Sequence, residues 1–388
     1  SDMTENISNT KGIKPSQFLR YFWVGKYSWS TDRSLFSSIQ EHGKYKFIKK
    51  KDSKGNNITI KEKRSEEEIV IFYKNLIKEL LNASSVINNI VNLNEQYFFD
   101  LLGHKRGSEA VSILRSINKF DVKQCYIYIL AIFLNAERTK KQYSEYFDKI
   151  PRTIVQILKK IEIFNVKFHI LAKGQANAVE RVVHSRLARE YENIYTKKTT
   201  KWADKWNVWR KQNIISKLDE ILNKTYKEKE IQIEDLVSNL EYQKKSIVRY
   251  VLEKINQYCF NQELVDFNFK GTLEHILPQN PKNWNLTKNE TKEYVHSIGN
   301  IIYLDSRLNS NLSDASFKDK IIGVKNKKKN EINKLSDDKT PMNQDLFIDL
   351  ESILNNKEQW NSNHIKQRSK LLGEQFKKGY KKYESTIK

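Results

Sequence analysis

The chain has 388 residues, with 69 Lys and Arg against 47 Asp and Glu, and its net charge of +22 points towards a polyanionic partner, although a lysine-rich solvated surface accounts for part of the excess. This length accommodates two or three domains, and only five Pro and twelve Gly favour helices over a turn-rich β fold. Two cysteines with no CxxC pair exclude a zinc knuckle and a disulfide framework, and the lack of a long apolar run or a signal peptide's apolar core gives the expectation of a cytoplasmic protein without a membrane partner.

Residues 1–13 are polar and are expected to be disordered. From 14 to 262 the patterns are those of a multi-helix bundle with no exact repeat. Phe18, Tyr21, Phe22 and Trp23, followed by Trp29, Leu35, Phe36 and Ile39, suit two short amphipathic helices. Their aromatics read as core, because they cluster on apolar stripes and do not alternate with Lys. The basic stretch 45–64 carries Gly and Asn and is expected to be a solvated loop, with a DNA-contacting loop as the second reading. Helical patterns follow over 66–83, 94–102, 109–118, 122–135 and 143–164. The nearly continuous apolar run from Cys125 to Leu134 predicts a buried helix, and Cys125 and Cys259 both read as small core residues. Trp202, Trp206 and Trp209 recur at i, i+4 and i+7 among Lys and Arg. A core-facing stripe flanked by snorkelling cations is favoured there over a DNA or partner surface. Further amphipathic helices are expected over 214–226 and 233–258.

The stretch 272–320 carries the chemistry. Leu273, Ile276 and Leu277 form a short apolar run around Glu274-His275, stopped by Pro278, which has no N–H for a ladder. Gly299-Asn300 opens a second β-prone run over 301–304. Asp305-Ser306 is an N-cap signal for a polar helix with Asn309 in its first turn and Asn311 close behind it. Strand, long loop, strand and helix each aim one polar group. Such a unit can hold a divalent cation between the first strand and the helix, with an imidazole beside it. A carboxylate and an amide oxygen are hard ligands suited to Mg²⁺ or Mn²⁺, and a neutral His next to them can take a proton from water attacking a phosphodiester.

Glu-His-Ile-Leu-Pro-Gln, the Ile-Gly-Asn-(x)3-Leu segment and Asn309 nine positions beyond Asn300 (309 − 300 = 9) resemble an HNH, or His-Me finger, nuclease. More narrowly they resemble the C-terminal HNH domain of GmrSD-type restriction proteins, with Phe317 and Lys320 where that family has a Phe-(x)2-Lys pair. The resemblance implies His275 as general base, Asn300 as the residue that orients it, Asn309 as metal ligand and Glu274 as a further ligand. Asn311 competes with Asn309 for the ligand role, and the nine-residue spacing favours Asn309. His296 stands open between a partner of the site and a phosphate contact, and Lys320 is grouped with it. His42, His104, His169, His184 and His364 show no ligand spacing and read as structural or surface residues.

Beyond this core, Lys325, Lys327, Lys328 and Lys329 form a run suited to a phosphate backbone, although such runs are usually solvated. A short helix is expected over 345–354. Trp360, Ile365 and Arg368 fit the family's C-terminal helix, packed back on the nuclease domain, with Arg368 either facing the scissile phosphate or held in a structural ion pair.

The expected fold is mainly α: a disordered 1–13, a helical bundle over 14–262, and a ββα-metal nuclease domain with C-terminal helices over 263–388. The resemblance implies cleavage of double-stranded DNA in bacterial defence, against modified or invading phage DNA. The alternatives are a non-catalytic DNA-binding or partner-docking subunit with a structural HNH fold, and an RNA-cleaving nuclease. In this family a DUF262-like nucleotide-hydrolysing sensor domain precedes the bundle. No GxxxxGK[ST] and no sensor motif occurs in the sequence, so that domain is expected to act from elsewhere, in cis or in trans.

Overall fold

The computed structural model describes residues 2–53, 56–120, 122–142, 150–167, 185, 187–189, 232–259, 271–281, 284, 286–305, 316–317, 324–325, 332–333 and 360–387. These residues are mainly helical and divide into two compact units. The first comprises 1–165 and 174–224, and the second 166–173 and 225–388. The boundary thus lies upstream of the expected 262, because the helices just before it pack on the chain's C-terminal helix. Among the described residues no helix is long and apolar enough to cross a membrane.

The first unit includes α1 (Asp2–Ser8), α2 (Pro15–Lys26), α3 (Leu35–Lys44), α4 (Glu66–Val91), α5 (Glu95–Leu102), α6 (His104–Asn118), α7 (Tyr126–Gln142) and α8 (Ile150–Asn165). The expectation of disorder over 1–13 is not met. Asp2–Ser8 is helical, and Ile7, Thr10 and Ile13 are buried, with Thr10 reaching Asn88 of α4. Three inward groups at a spacing of three residues were enough to dock this polar segment. The aromatics of α2 are core, as their clustering predicts: Phe18, Tyr21, Phe22 and Trp23 are buried, and the Trp23 indole N–H donates to Ser38 Oγ at 3.1 Å. Pro15 stands at the first turn of α2, where its missing N–H costs nothing. Helix α4 begins with a Ser65–Glu68 capping box, which satisfies two of its orphan N–H groups. The predicted buried helix is α7, where Tyr126 through Leu130 and Ile132 and Phe133 are almost without solvent contact, as is Cys125 in the 3₁₀ turn just before it.

The expected solvated loop over 45–64 is instead a β-hairpin, β1 (Tyr45–Lys51) paired antiparallel with β2 (Asn57–Lys63). Phe47, Ile48, Ile58 and Ile60 supply its β-prone positions. The Phe47 ring stacks on His42 at 4.3 Å, so the hairpin has an anchor that its many lysines conceal in the sequence.

The second unit contains α9 (Ile233–Ser238), α10 (Lys245–Cys259), β3 (Gly271–His275), the one-turn α11 (Lys288–Thr291), β4 (Ile301–Asp305) and the long α12 (Ser362–Ser385). A two-residue ladder, β5 (Val324–Lys325) with β6 (Ile332–Asn333), lies between β4 and α12 in the chain. Strands β3 and β4 pair antiparallel, with His275 opposite Ile301 and Glu274 opposite Ile302. The ββ part of the expected ββα unit is therefore described. Its helix, and the expected helix over 345–354, lie outside the described residues, as does the Trp202, Trp206 and Trp209 stripe. Behind the ribbon, Ile276, Leu277, Ile302, Phe317, Trp360 and Ile365 form one apolar cluster. Helix α12 is the spine of this unit. Glu234 of α9 pairs with its Lys377, and a side chain at Gly373 would collide with the Glu234 carbonyl, so α9 lies directly against it. Tyr250 of α10 meets Phe376 edge-on at 6.4 Å, and buried Lys254 sits 5.4 Å over Tyr250 and 5.1 Å over Tyr383.

Candidate active site

The β3–β4 ribbon brings His275 to the place where its chain turns away, and the turn is held by Asn300. Past His275 the ladder continues by one backbone bond, from Ile276 N–H to the Asn300 carbonyl at 2.9 Å. The next step is made by a side chain. Asn300 Oδ1 accepts from Leu277 N–H at 2.8 Å, while Asn300 Nδ2 donates to the Leu277 carbonyl at 2.9 Å. The primary amide carries a donor and an acceptor on one flat group, so it imitates the peptide of a paired strand residue. Pro278 then ends the ladder. The second Nδ2 hydrogen goes to the Val295 carbonyl at 2.8 Å, and the second Oδ1 lone pair receives the Trp360 indole N–H at 3.0 Å. All four hydrogen-bonding positions of the Asn300 side chain are thus used inside the protein, and the residue is fully buried. It has none left for a substrate. The Asn300 amide closes the turn after β3.

Helix α12 fixes the 3₁₀ turn Ile298–Asn300 from behind. Gly299 N–H donates to Ser369 Oγ at 3.0 Å, and a Cβ at Gly299 would run into the Ile365 carbonyl. Arg368, 1% exposed, donates from one guanidinium nitrogen to the Gly299 carbonyl at 2.7 Å and to the Ile301 carbonyl at 2.8 Å. These two bonds hold the guanidinium against the backbone of the turn. A guanidinium clamped on two backbone carbonyls on either side of Asn300 is structural. Phe317 is buried in the same apolar cluster and stacks on Trp360 at 5.4 Å.

His275 itself is 4% exposed and sits in a cluster of three rings. Its Nε2 lies 3.2 Å from His296 Nδ1, and its Nδ1 lies 3.3 Å from Gln279 Nε2. The Tyr242 ring packs against His275 at 4.3 Å and lies nearly parallel to His296 at 6.1 Å. Tyr242 comes from the 3₁₀ turn before α10, and backbone pairing carries it here: Tyr242 N–H donates to the His296 carbonyl at 2.7 Å, and Ile298 N–H to the Leu240 carbonyl at 2.8 Å. The sequence left His296 open; the structure places it against His275. Tyr242 and Gln279 were missed as site residues. Gln279 is the last letter of the Glu-His-Ile-Leu-Pro-Gln box, whereas Tyr242 lies 33 residues upstream of His275 (275 − 242 = 33) and carries no local signal.

Glu274, half-buried, precedes His275 on β3; the strand's pleat puts Leu273 and His275 on its buried face and Glu274 on the other. Asn309, Asn311, Lys320, Lys327, Lys328 and Lys329 lie outside the described residues, as does the side chain of Lys325. Among the described residues, no three His, Cys, Asp or Glu side chains form a cluster that could hold a metal. The donor set that the sequence offers, one carboxylate and one amide oxygen, suits a hard cation that retains most of its water, as Mg²⁺ does, and such a set needs no cluster of three.

Residues 226–375 match the family model for the C-terminal domain of GmrSD restriction endonucleases. That part of the chain is similar to a GmrSD-type C-terminal domain. The match takes in α9, Tyr242, the whole β3–β4 ribbon and the part of α12 that clamps it, so the ring cluster and its supports fall inside the matched segment. No curated protein and no solved structure matches the chain.

Proposed function

We propose that the second unit is a metal-dependent endonuclease of the HNH type that hydrolyses DNA phosphodiester bonds, serving in the restriction of foreign or modified DNA. The observation that carries this reading is the His275–His296 pair at the end of β3, within a domain of a restriction-endonuclease family. A general base needs an unprotonated ring nitrogen and a second group that holds the ring. His275 has the second group in His296. Its Nδ1 faces Gln279, an exposed side chain at the longer of the two contacts, which an incoming water would displace. Asn300 keeps the strand end in register beneath the ring. Asn309 would hold the cation, Mg²⁺ or Mn²⁺, which when bound would stabilise negative charge on the phosphate and leaving oxygen, while Glu274, on the opposite face of β3 from His275, is the less direct of the two expected ligands. His275 then takes the proton of the attacking water at Nδ1. Specificity would come from outside this site, since a small site contacting phosphate reads little sequence. The sensor domain expected in cis or in trans is the natural place for it.

Plasmid nicking by the chain with and without Mg²⁺ tests the reading. His275→Ala should lower the rate by about 10²–10⁴-fold while leaving folding and DNA affinity nearly unchanged. A folded His275→Ala protein that nicks at the wild-type rate would show that His275 is not the base. Divalent-independent binding without cleavage by the wild type would favour the non-catalytic docking subunit.

A further inference from the structure

We infer that His296, seated by Tyr242, is the positioning residue that fixes the tautomer of His275, keeping the proton on Nε2 and the lone pair on Nδ1. This rests on the nuclease reading for its catalytic consequence, but the geometry stands without it. Two neutral imidazoles in contact share one proton: one nitrogen donates and the other accepts. At 3.2 Å, His275 Nε2 and His296 Nδ1 form such a pair. The direction is read at the other edge of the His275 ring, where the Gln279 amide nitrogen, which can only donate, stands 3.3 Å from Nδ1. A donor there requires an unprotonated Nδ1, so the ring proton lies on Nε2 and points at His296. Turning the Gln279 amide over would reverse every bond in this row, so the assignment is open to measurement.

His296 can do this because its own position is fixed. Its carbonyl takes the Tyr242 N–H, and Glu241 and Ser297 form a β-bridge beside it, so the backbone around His296 is paired on the Tyr242 segment. The Tyr242 ring fills the angle between the two imidazoles, 4.3 Å from one and 6.1 Å from the other. Lys245 lies 4.8 Å over the same Tyr242 ring, which ties the cluster to the start of α10. Rotation of His275 about χ2 is therefore opposed on one edge by a hydrogen bond and on one face by a ring. A base held in one tautomer and one orientation has its lone pair presented throughout, whereas a ring free to exchange and rotate presents it only for the fraction of time spent in the competent form.

Two variants and two readouts test this. His296→Leu removes the acceptor, while His296→Asn keeps an oxygen one bond from Cγ, where Nδ1 was. With ¹⁵N-histidine labelling at pH 8, wild-type His275 should show an unprotonated Nδ1 and a protonated Nε2. His296→Leu should move it towards a mixture, and His296→Asn should restore the wild-type pattern. In plasmid nicking, His296→Leu should lower kcat about 10–100-fold with KM little changed, and His296→Asn should recover most of that loss. A protonated Nδ1 in the wild type, an unchanged tautomer in His296→Leu, or equal loss of rate in the Leu and Asn variants would each overturn the inference. A wild type that never cleaves would sink the nuclease reading, and the tautomer measurement would still decide this one.

Discussion

At the scale of single residues, Asn300 illustrates how narrow the chemistry of a position can be. Its side chain donates twice and accepts twice, to Leu277, Val295 and Trp360, with no solvent contact. Asp has nearly the same shape but no donor. Asn300→Asp should leave the Leu277 and Val295 carbonyls facing a carboxylate in a dry interior, each unmade bond costing on the order of 1–3 kcal/mol. Chemical denaturation should therefore show the second unit destabilised by roughly 3 kcal/mol or more, and nicking should fall because β3 no longer ends in register. A variant as stable as the wild type would mean that the amide is not what closes the turn. The sequence made this residue legible as part of the site, through its place after Gly299 and before the β-prone run. It did not disclose the contacts: the Asn300 amide bonds the peptide of Leu277 and not the His275 ring, and spacing alone cannot separate a side-chain contact from a backbone one. His296 was legible as a candidate but without a partner, since the 21 residues between it and His275 (296 − 275 = 21) hide their contact.

At the scale of elements, helices with strong apolar periodicity were legible and weakly patterned pieces were not. Helix α7 was predicted from its unbroken apolar run, but α1 was missed because only Ile7 among its seven residues is a deeply buried apolar anchor. The β1–β2 hairpin was missed because lysines dominate its composition, and the anchor that holds it, His42, lies on α3. The burial that made α7 readable extends to Cys125 before it and the Tyr97 hydroxyl on α5, and it gives the first unit a pH response. Burial pushes the Cys125 thiol up to about 12, a hydrogen bond with Asn165 offsetting part of the rise. Tyr97 and Tyr126 are also raised well above the usual phenol range, mainly by burial, with the nearby Glu137 carboxylate adding to the effect at Tyr97. The unfolded chain releases these protons first, so the folded state binds more protons at alkaline pH and loses stability as pH rises. Stability should be flat near neutrality and fall from about pH 9 upwards, with Cys125 alone contributing on the order of 3 kcal/mol by pH 11. Urea titrations at pH 8, 9.5 and 11 would measure it. Cys125→Val should remove the thiol's share and flatten the curve; an identical curve would show that the thiol does not titrate in this range.

At the scale of the whole molecule the governing quantity is charge. A net +22 spread over 388 residues places a field around the protein that no single contact accounts for. If DNA is the partner, its phosphates shed condensed cations as lysines replace them, and affinity falls with salt at a log–log slope of about −0.9 for each phosphate neutralised. The run Lys325, Lys327, Lys328 and Lys329 follows the ribbon in sequence, and Lys325 belongs to the short β5–β6 ladder. A duplex seated at His275 and tracking that run would neutralise several phosphates there. Replacing all four lysines by Ala should make the slope shallower by roughly 2–4 units, weaken every DNA sequence about equally, and leave cleavage at low salt close to the wild-type rate. Fluorescence anisotropy with labelled duplexes from 50 to about 200 mM salt covers the range in which such contacts change affinity most. An unchanged slope would assign the run to the solvated surface and move the search for the DNA track to the first unit, whose β1–β2 hairpin carries Lys46, Lys49, Lys50, Lys51, Lys61 and Lys63. There the same experiment has a built-in contrast, because Lys46 and Lys61 already pair with Glu68 and Glu41, so replacing these two should change the slope less than replacing Lys50 and Lys51.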